Sequence, residues 1–224
     1  MRLRIGLTLL LLVSWGSTTI RAEAPLGIRP LHRKLETALA TLPPHTHLLL
    51  DQVAIEQFLV ELDGAPPDWA KVYGQGHHDS GHDDRLFALN RERDARREGK
   101  PSLQRLVAFV WIGELSAFDE QDGGFHVALG PTINQTGWGD VRFKQEDLPS
   151  TLIALAGKET ARLKKRRHQG ERVDVDVLMT GRLIQEESLV YDFSHEAEGR
   201  GFIMPVVRIE AVEFVLKGGS EERE

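Results

Sequence analysis

The 224-residue chain contains no cysteine. This absence excludes thiol catalysis, cysteine-ligated zinc and iron–sulfur clusters. It also excludes disulfide bonds, so the folded state must be held by packing alone, even in an oxidising compartment. The sequence also lacks a Gly-x-Gly-x-x-Gly fingerprint, a phosphate-binding loop and a Gly-x-Ser-x-Gly nucleophile elbow.

Long apolar runs are absent after the first twenty or so residues, but the N-terminal segment has one. Arg2 and Arg4 precede the apolar stretch Ile5 to Trp15, and small residues follow it up to Ala22 and Ala24. A basic start, an apolar run and a small-x-small pattern are typical of a signal peptide. The sequence therefore predicts a signal peptide over 1–22, with cleavage after position 22 or 24.

The alternative for this segment is an uncleaved membrane anchor. A spanning helix needs about 20 apolar residues, and the run is shorter. We therefore expect an exported protein with no membrane span in the mature chain. It would be periplasmic in a Gram-negative bacterium and secreted otherwise.

Positive charge is scarce in the predicted mature chain. The full chain carries a net charge of −6, and removal of 1–22 takes away three arginines and no acid. The remaining 25 basic and 34 acidic residues give −9. This balance disfavours nucleic acid and anionic membrane surfaces. The two acidic loops described below favour a partner protein, a basic peptide, a cationic ligand or a divalent ion instead.

The order of apolar patterns divides the chain into four parts after the signal peptide. Leucines at helical spacing predict a helix over 29–42, and Asp51 is a good N-cap for a second helix that ends at Leu62. The predicted parts are a helical N-terminal extension (25–73), a charged linker region (74–102) that includes an exposed helix over 84–98, a β-barrel domain (103–217) and a disordered tail (218–224).

Residues 103–217 change to β character. Alternating apolar residues predict strands, and one stretch between them has helical spacing. The segments are strands at 106–115, 125–129 and 141–143, a helix at 150–168, and strands at 173–183 and 205–217, with a weak additional strand at 189–193. In the last strand the apolar phase slips once, at Ala211–Val212, which predicts a β-bulge.

This order predicts an α+β fold, an OB-like, five-stranded, partly open β-barrel (β-β-β-α-β-β). Gly113 and Gly181 lie where such a barrel needs sharp curvature. The predicted core includes Phe109, Trp111, Val175 and Val177. The rival is another small mixed α+β sheet domain.

Two acidic loops are the leading candidates for a binding surface. The first, 114–124, contains Asp119 and Glu120, and the second, 185–201, contains Tyr191, Asp192 and His195. In an OB-fold, loops at these places frame the binding face. The alternative is that both are solvated and that the aromatic side chains cap the barrel.

Trp138, between two glycines, is a further candidate for ligand binding. It is either a stacking platform or a tryptophan packed on the barrel rim. The basic run 164–168 ends the predicted helix, where cations offset the negative end of the helix dipole; polyanion binding is the alternative.

A histidine cluster supports a second hypothesis. His77, His78 and His82 lie among aspartates, and imidazole with carboxylate can hold a divalent transition metal such as Zn²⁺, Ni²⁺ or Cu²⁺. The alternative is a solvated polar loop. The leading functional hypothesis is thus an exported, non-enzymatic binding or interaction module; the alternative is a metal-binding protein or metal-dependent enzyme that uses this cluster.

Overall fold

The structure, a computed structural model, describes residues 26–75, 79–194 and 199–217, so the predicted signal peptide and C-terminal tail lie outside it. The helices are α1 (Leu35–Leu39), α2 (Gln52–Asp63), α3 (Trp69–Tyr73), α4 (His82–Arg97) and α5 (Thr160–His168). The strands are β1 (Ile28–His32), β2 (His47–Leu49), β3 (Leu106–Asp119), β4 (Gly124–Leu129), β5 (Asn134–Thr136), β6 (Gly139–Val141), β7 (Lys144–Glu146), β8 (Ile153–Leu155), β9 (Asp174–Leu183), β10 (Leu189–Phe193) and β11 (Gly201–Leu216).

Six strands form a closed, mixed β-barrel in the order β1-β8-β4-β3-β9-β11, and a parallel β1–β11 pairing completes the ring. β9 is antiparallel to both β3 and β11. The remaining strands extend the sheet: β2 pairs with β3, and β6, β7 and β10 pair with β11. The prediction of a β-barrel is confirmed, and this barrel has six strands where the sequence predicted five.

The sixth strand comes from a segment that was predicted as helix. Residues 29–42 form β1 and the short helix α1, not one continuous helix. β1 pairs in parallel with β8 on one side and with β11 on the other, for example Leu31 opposite Phe214. Helical leucine spacing was misleading because this long-range pairing satisfies the backbone on both sides, and tertiary context overrides local preference.

The helix predicted over 150–168 is also shorter than expected. Its first part is β8, and the α-helix begins only at Thr160. Leu152, Ile153 and Ala154 are buried in succession, which suits a strand covered on both faces. Gly157 follows with φ of +52°, a left-handed conformation that interrupts the segment before α5.

The barrel interior is filled with side chains. Phe109, Trp111, Val175 and Val177 are all buried, which confirms the predicted core. The rings of Phe109 and Phe143 stack with their centroids 4.3 Å apart. Side chains occupy this space, and the grooves described below lie on the outside of the barrel.

Two features that bend the barrel were visible in the sequence. The bulge predicted at Ala211–Val212 is present slightly earlier, between Ile209 and Ala211, where the register against β9 shifts. A Cβ atom on Gly181 would lie 2.1 Å from the carbonyl oxygen of Arg208, so only glycine allows β9 to approach β11 this closely.

Helices cover the barrel at both ends and on one side. α2 contacts β2 and the turn before β3, and its N-cap Asp51 accepts a hydrogen bond from the Ala54 amide, as the sequence predicted. At the other end Leu163 of α5 is fully buried. α3 and α4 lie against each other, and α4 also packs on β10.

Candidate binding surfaces

The two acidic loops predicted to frame one binding face lie at opposite ends of the barrel. Along β3, Leu106 pairs with Arg182 and Glu114 with Asp174, so the first loop begins beyond the Asp174 end of β9. In β10, Tyr191 pairs with Ile203 of β11, beyond the other end of β9. The structure therefore does not bring Asp119 and Tyr191 together.

In the first loop, Asp119 is held by its own turn. Its Oδ1 accepts hydrogen bonds from the amides of Gln121 and Asp122, at 2.8 and 3.0 Å, and its Oδ2 lies 3.3 Å from Nε2 of His126. The Asp122 amide, followed by that of Gln121, lowers the pKa of the Asp119 carboxyl. This residue closes the β3–β4 turn.

Glu120 faces the basic run at the end of α5. Lys164 Nζ lies 2.7 Å from Glu120 Oε1 and 3.5 Å from the centre of the Phe118 ring. Arg167 pairs with Glu114 at 3.0 Å. The structure thus places the basic run directly against the first candidate binding loop, where the opposite charges offset each other.

In the second loop, Tyr191 is a buried structural residue. It is only 1% exposed, and its hydroxyl donates a hydrogen bond to the carboxylate of Asp63 at the end of α2. Arg97 Nη1 of α4 donates to the same carboxylate oxygen at 2.7 Å. Burial raises the pKa of the Tyr191 hydroxyl, and the negative charge of Asp63 raises it further. The alternative that the aromatic side chains of this loop have a packing role fits these contacts.

The free edge of β10 is satisfied by an asparagine side chain. Asn90 Nδ2 donates to the Tyr191 carbonyl and Asn90 Oδ1 accepts from the Tyr191 amide, both at 2.8 Å. The side-chain amide thus acts as the neighbouring strand would. Sequence reasoning missed Asn90, Arg93 and Arg97 because α4 is rich in charge and was predicted as an exposed helix; its period does place Asn90, Arg93 and Arg97 on one face.

Trp138 is also packed, with 5% of its surface exposed. Its carbonyl accepts a hydrogen bond from Trp69 Nε1 at 2.7 Å, which ties the β5–β6 loop to α3. One part of the ring lines a surface groove described below. Its position on the barrel rim corresponds to the packing alternative.

Asp192 and Ser194 have separate partners. Asp192 Oδ1 accepts from the Phe193 amide, whereas Ser194 Oγ donates to Asp140 Oδ2 at 2.8 Å. Asp140 is 2% exposed, and Arg200 Nε lies 2.7 Å from its other oxygen. His195 lies outside the described residues.

Of the proposed metal ligands, His77 and His78 also lie outside the described residues. His82 is at the start of α4, with Nδ1 2.7 Å from the Asp79 carbonyl and its ring 5.0 Å from that of Phe193. Among residues 26–75, 79–194 and 199–217, no three His, Cys, Asp or Glu side chains are grouped to hold a metal ion.

Comparison with protein-family models, with curated proteins and with solved structures gives no significant match. In the part of the chain that the structure describes, no helix is long and apolar enough to cross a membrane.

Two surface grooves are formed mostly by residues that the sequence did not single out, with Trp138 as the exception. The α2 groove, of about 430 Å³, lies on the outer face of α2 and is lined by Val53, Glu56, Gln57, Val60, Glu61 and Trp138. The α3–α4 groove, of about 320 Å³, lies between those two helices.

Proposed function

We propose that this chain is an exported binding module that takes a partner segment in the α2 groove. The observation that supports this is the exposure of Val53 and Val60, at 63% and 49%, on an otherwise amphipathic helix. Gln57 lies between them, so the three residues form one stripe at i, i+4 and i+7. Exposed valines at both ends of such a stripe, at i and i+7, have the spacing of the anchor residues by which a helix face contacts another chain.

The charges around the stripe suggest what the partner carries. Glu56 accepts hydrogen bonds from the Gly137 amide and from Gln52, and the Gly137 amide in particular lowers the pKa of its carboxyl. Within the described residues Glu56 has no cationic partner, while Glu61 pairs with Arg105. Since the groove is lined by two acids and no base, it fits a segment with apolar side chains beside lysine or arginine.

The proposal is tested with a defined peptide. A KKLLKK peptide should bind saturably and shift the amide NMR signals of α2, and an EELLEE peptide should not. Replacing both valines, V53S with V60S, should remove binding, because serine takes away the apolar contact without adding charge. The matched control is F87S, which replaces a phenylalanine that is 65% exposed on α4.

Two results would overturn the assignment of the α2 groove. One is equal binding of both peptides. The other is an equal loss of binding in F87S and in the double valine variant. Glu56→Gln should weaken binding of KKLLKK about two- to fivefold, since a partly exposed ion pair contributes about 0.5–1 kcal/mol.

Export is the second part of the proposal and rests on the N-terminal residues. N-terminal sequencing of the protein from its native host should begin at Glu23 or Pro25. Met1 retained on cytoplasmic protein would contradict it.

The barrel's relationship to the OB-fold is also a proposal. Its support is that β3, β4, β9 and β11 are consecutive in the ring and that α5 lies between β4 and β9 in the chain. In this view β1 is an additional strand inserted between β8 and β11.

The alternative function is metal binding by His77, His78 and His82. It predicts roughly stoichiometric binding of Zn²⁺, Ni²⁺ or Cu²⁺ to protein purified without a His tag. Binding should weaken as the pH falls through the histidine range near about 6.5, since protonated imidazole cannot ligate. If wild type and the H78A/H82A variant bind metal alike, the cluster is not the site.

A further inference from the structure

The α3–α4 groove differs in charge from the rest of the molecule. Four of its lining side chains are basic and two are acidic, on a chain whose net charge is −6. Its apolar lining includes Val72 of α3 and Ala88 and Leu89 of α4. This groove therefore combines local positive charge with an apolar wall.

Two of the four cations are already neutralised. Arg85 pairs with Asp79 at 2.8 Å, and Arg96 pairs with Glu92 on the same helix. Lys71 makes no ion pair within the described residues and is exposed on the groove wall. The excess positive charge thus comes mainly from Lys71, because Arg93 lies beside the buried carboxylate of Asp63, with Nη1 3.9 Å from its Oδ2.

Arg93 is buried, with 6% of its surface exposed, and it still lines the groove. Its Nη1 donates to the carbonyls of Asp63 and Ala65, at 3.0 and 2.7 Å. Its guanidinium carbon lies 5.7 Å from the centre of the Tyr191 ring, which positions the guanidinium from another side. Within the described residues, Nε and Nη2 of Arg93 have no hydrogen-bond partner.

Asp63 offsets part of the Arg93 charge on the Nη1 side, but an arginine held in this way still offers Nε and Nη2 as a preformed receptor for an anion. The two N–H groups on Nε and Nη2 point in parallel and match the two oxygens of a carboxylate. Asp68 and Glu92 also line the groove, and they would repel a phosphate dianion more strongly than a singly charged carboxylate.

We propose that the α3–α4 groove binds a small organic carboxylate, with its charged end at Arg93 and Lys71 and its apolar body against Val72, Ala88 and Leu89. This site is separate from the α2 groove and takes a ligand of opposite charge. A negative result at one groove therefore does not contradict the proposal for the other.

Hexanoate is a suitable probe for this site, with hexylamine and inorganic phosphate as controls. Saturation-transfer NMR on the purified protein should show saturable hexanoate binding, and hexylamine and phosphate should bind much more weakly. Added salt should weaken hexanoate binding because Lys71 is exposed and its charge is screened. A phosphate affinity equal to that of hexanoate would overturn the choice of ligand class.

Three variants locate the site. Arg93→Gln should weaken hexanoate binding about tenfold or more, on the scale of a lost charge-assisted hydrogen-bond pair. Lys71→Gln should weaken it severalfold, and Ala88→Trp should abolish it by filling the groove without changing its charge. The matched control is Arg105→Gln, an exposed arginine on another face, which should bind normally.

Arg93 also supports the end of α2, so its replacement can unfold the protein. Lys71 and Ala88 are exposed, so their variants should still fold. These two variants therefore test the proposal even if Arg93→Gln unfolds. Hexanoate binding that is absent in wild type, or unchanged in both Lys71→Gln and Ala88→Trp, would overturn the proposal.

Discussion

The hydroxyl of Tyr191 donates a hydrogen bond to the carboxylate of Asp63, although the two residues are 128 positions apart in the chain. Asp63 ends α2 and Tyr191 is in β10, so this bond joins a helix of the N-terminal part to the barrel. Arg97 completes the junction from α4, with its side chain only 1% exposed. Three segments that were predicted as an extension, a linker and a barrel thus share one buried ion pair.

Removal of Arg97 should be strongly destabilising. Arg97→Met leaves the Asp63 carboxylate buried without its closest cation, which costs about 3–5 kcal/mol. The control is Arg96→Met on the same helix, where the side chain is 54% exposed. This substitution should change the free energy of unfolding by no more than about 0.5 kcal/mol. Urea denaturation of both variants measures the difference, and similar losses in both would contradict the structural role of Arg97.

The acid stability of the protein should depend on Asp119. Its folded-state pKa is lowered below the ordinary value of 3.8, so the ionised form stabilises the fold above that pH. This contribution is lost as the pH falls from about 4 through the lowered pKa. Asp119→Asn keeps an oxygen for the two amides but cannot titrate.

Melting temperatures at several pH values test this expectation. At neutral pH the wild type should have the higher melting temperature. The difference in melting temperature between wild type and Asp119→Asn should become smaller below a pH of about 4. A difference in melting temperature that stays constant down to about pH 2 would show that the charge of the Asp119 carboxylate does not stabilise the fold.

Two neighbouring positions in β9 should respond very differently. Val177 is fully buried, and Val177→Asp places an unpaired carboxylate in the barrel interior, at a cost of several kcal/mol that should prevent folding. Asp176 faces the other side and pairs with Lys217 at 2.9 Å. Asp176→Ala should therefore cost at most about 1 kcal/mol. Circular dichroism of both variants checks this, and equal tolerance would contradict the strand phase.

We expect no binding of single-stranded nucleic acid at physiological salt. Of the basic run, Lys164, Arg166 and Arg167 already pair with Glu120, Glu171 and Glu114. A phosphate backbone would have to displace these acids, with little counterion release to compensate. A titration at about 150 mM salt should show no affinity in the ~10⁻⁴–10⁻⁶ M range of non-specific binders. Micromolar binding that disappears when Lys164 to Arg167 are neutralised would reverse this expectation.

The sequence predicted well those elements whose residues carry their own signal. The cap Asp51, the alternation that includes Val175 and Val177, and the bulge near Ala211 depend on local chemistry. β1 and β8 are only five and three residues long. Such short strands form because pairing with distant strands satisfies their backbone hydrogen bonds, so no local sequence pattern predicts them.

The same reasoning explains why the candidate site residues were harder to assign. Tyr191 and Trp138 have amphipathic side chains. The sequence alone therefore does not distinguish whether each of them faces solvent or packs against a polar partner. Their burial follows from where α2, α3 and α4 dock. Arg93 was missed for the converse reason. Its charge suggests exposure, and its burial is tolerable because the carbonyls of Asp63 and Ala65 and the nearby Asp63 carboxylate compensate it.

β11 pairs with β1, β6, β7, β9 and β10, and it is the last strand of the barrel to be synthesised. A nascent chain that lacks it leaves all five partners with an open edge. The ring can then close only after translation has passed Leu216, and the contacts that close it are distant in sequence. We therefore expect folding to be late and slow, with unpaired strands that need protection from aggregation until β11 has been synthesised.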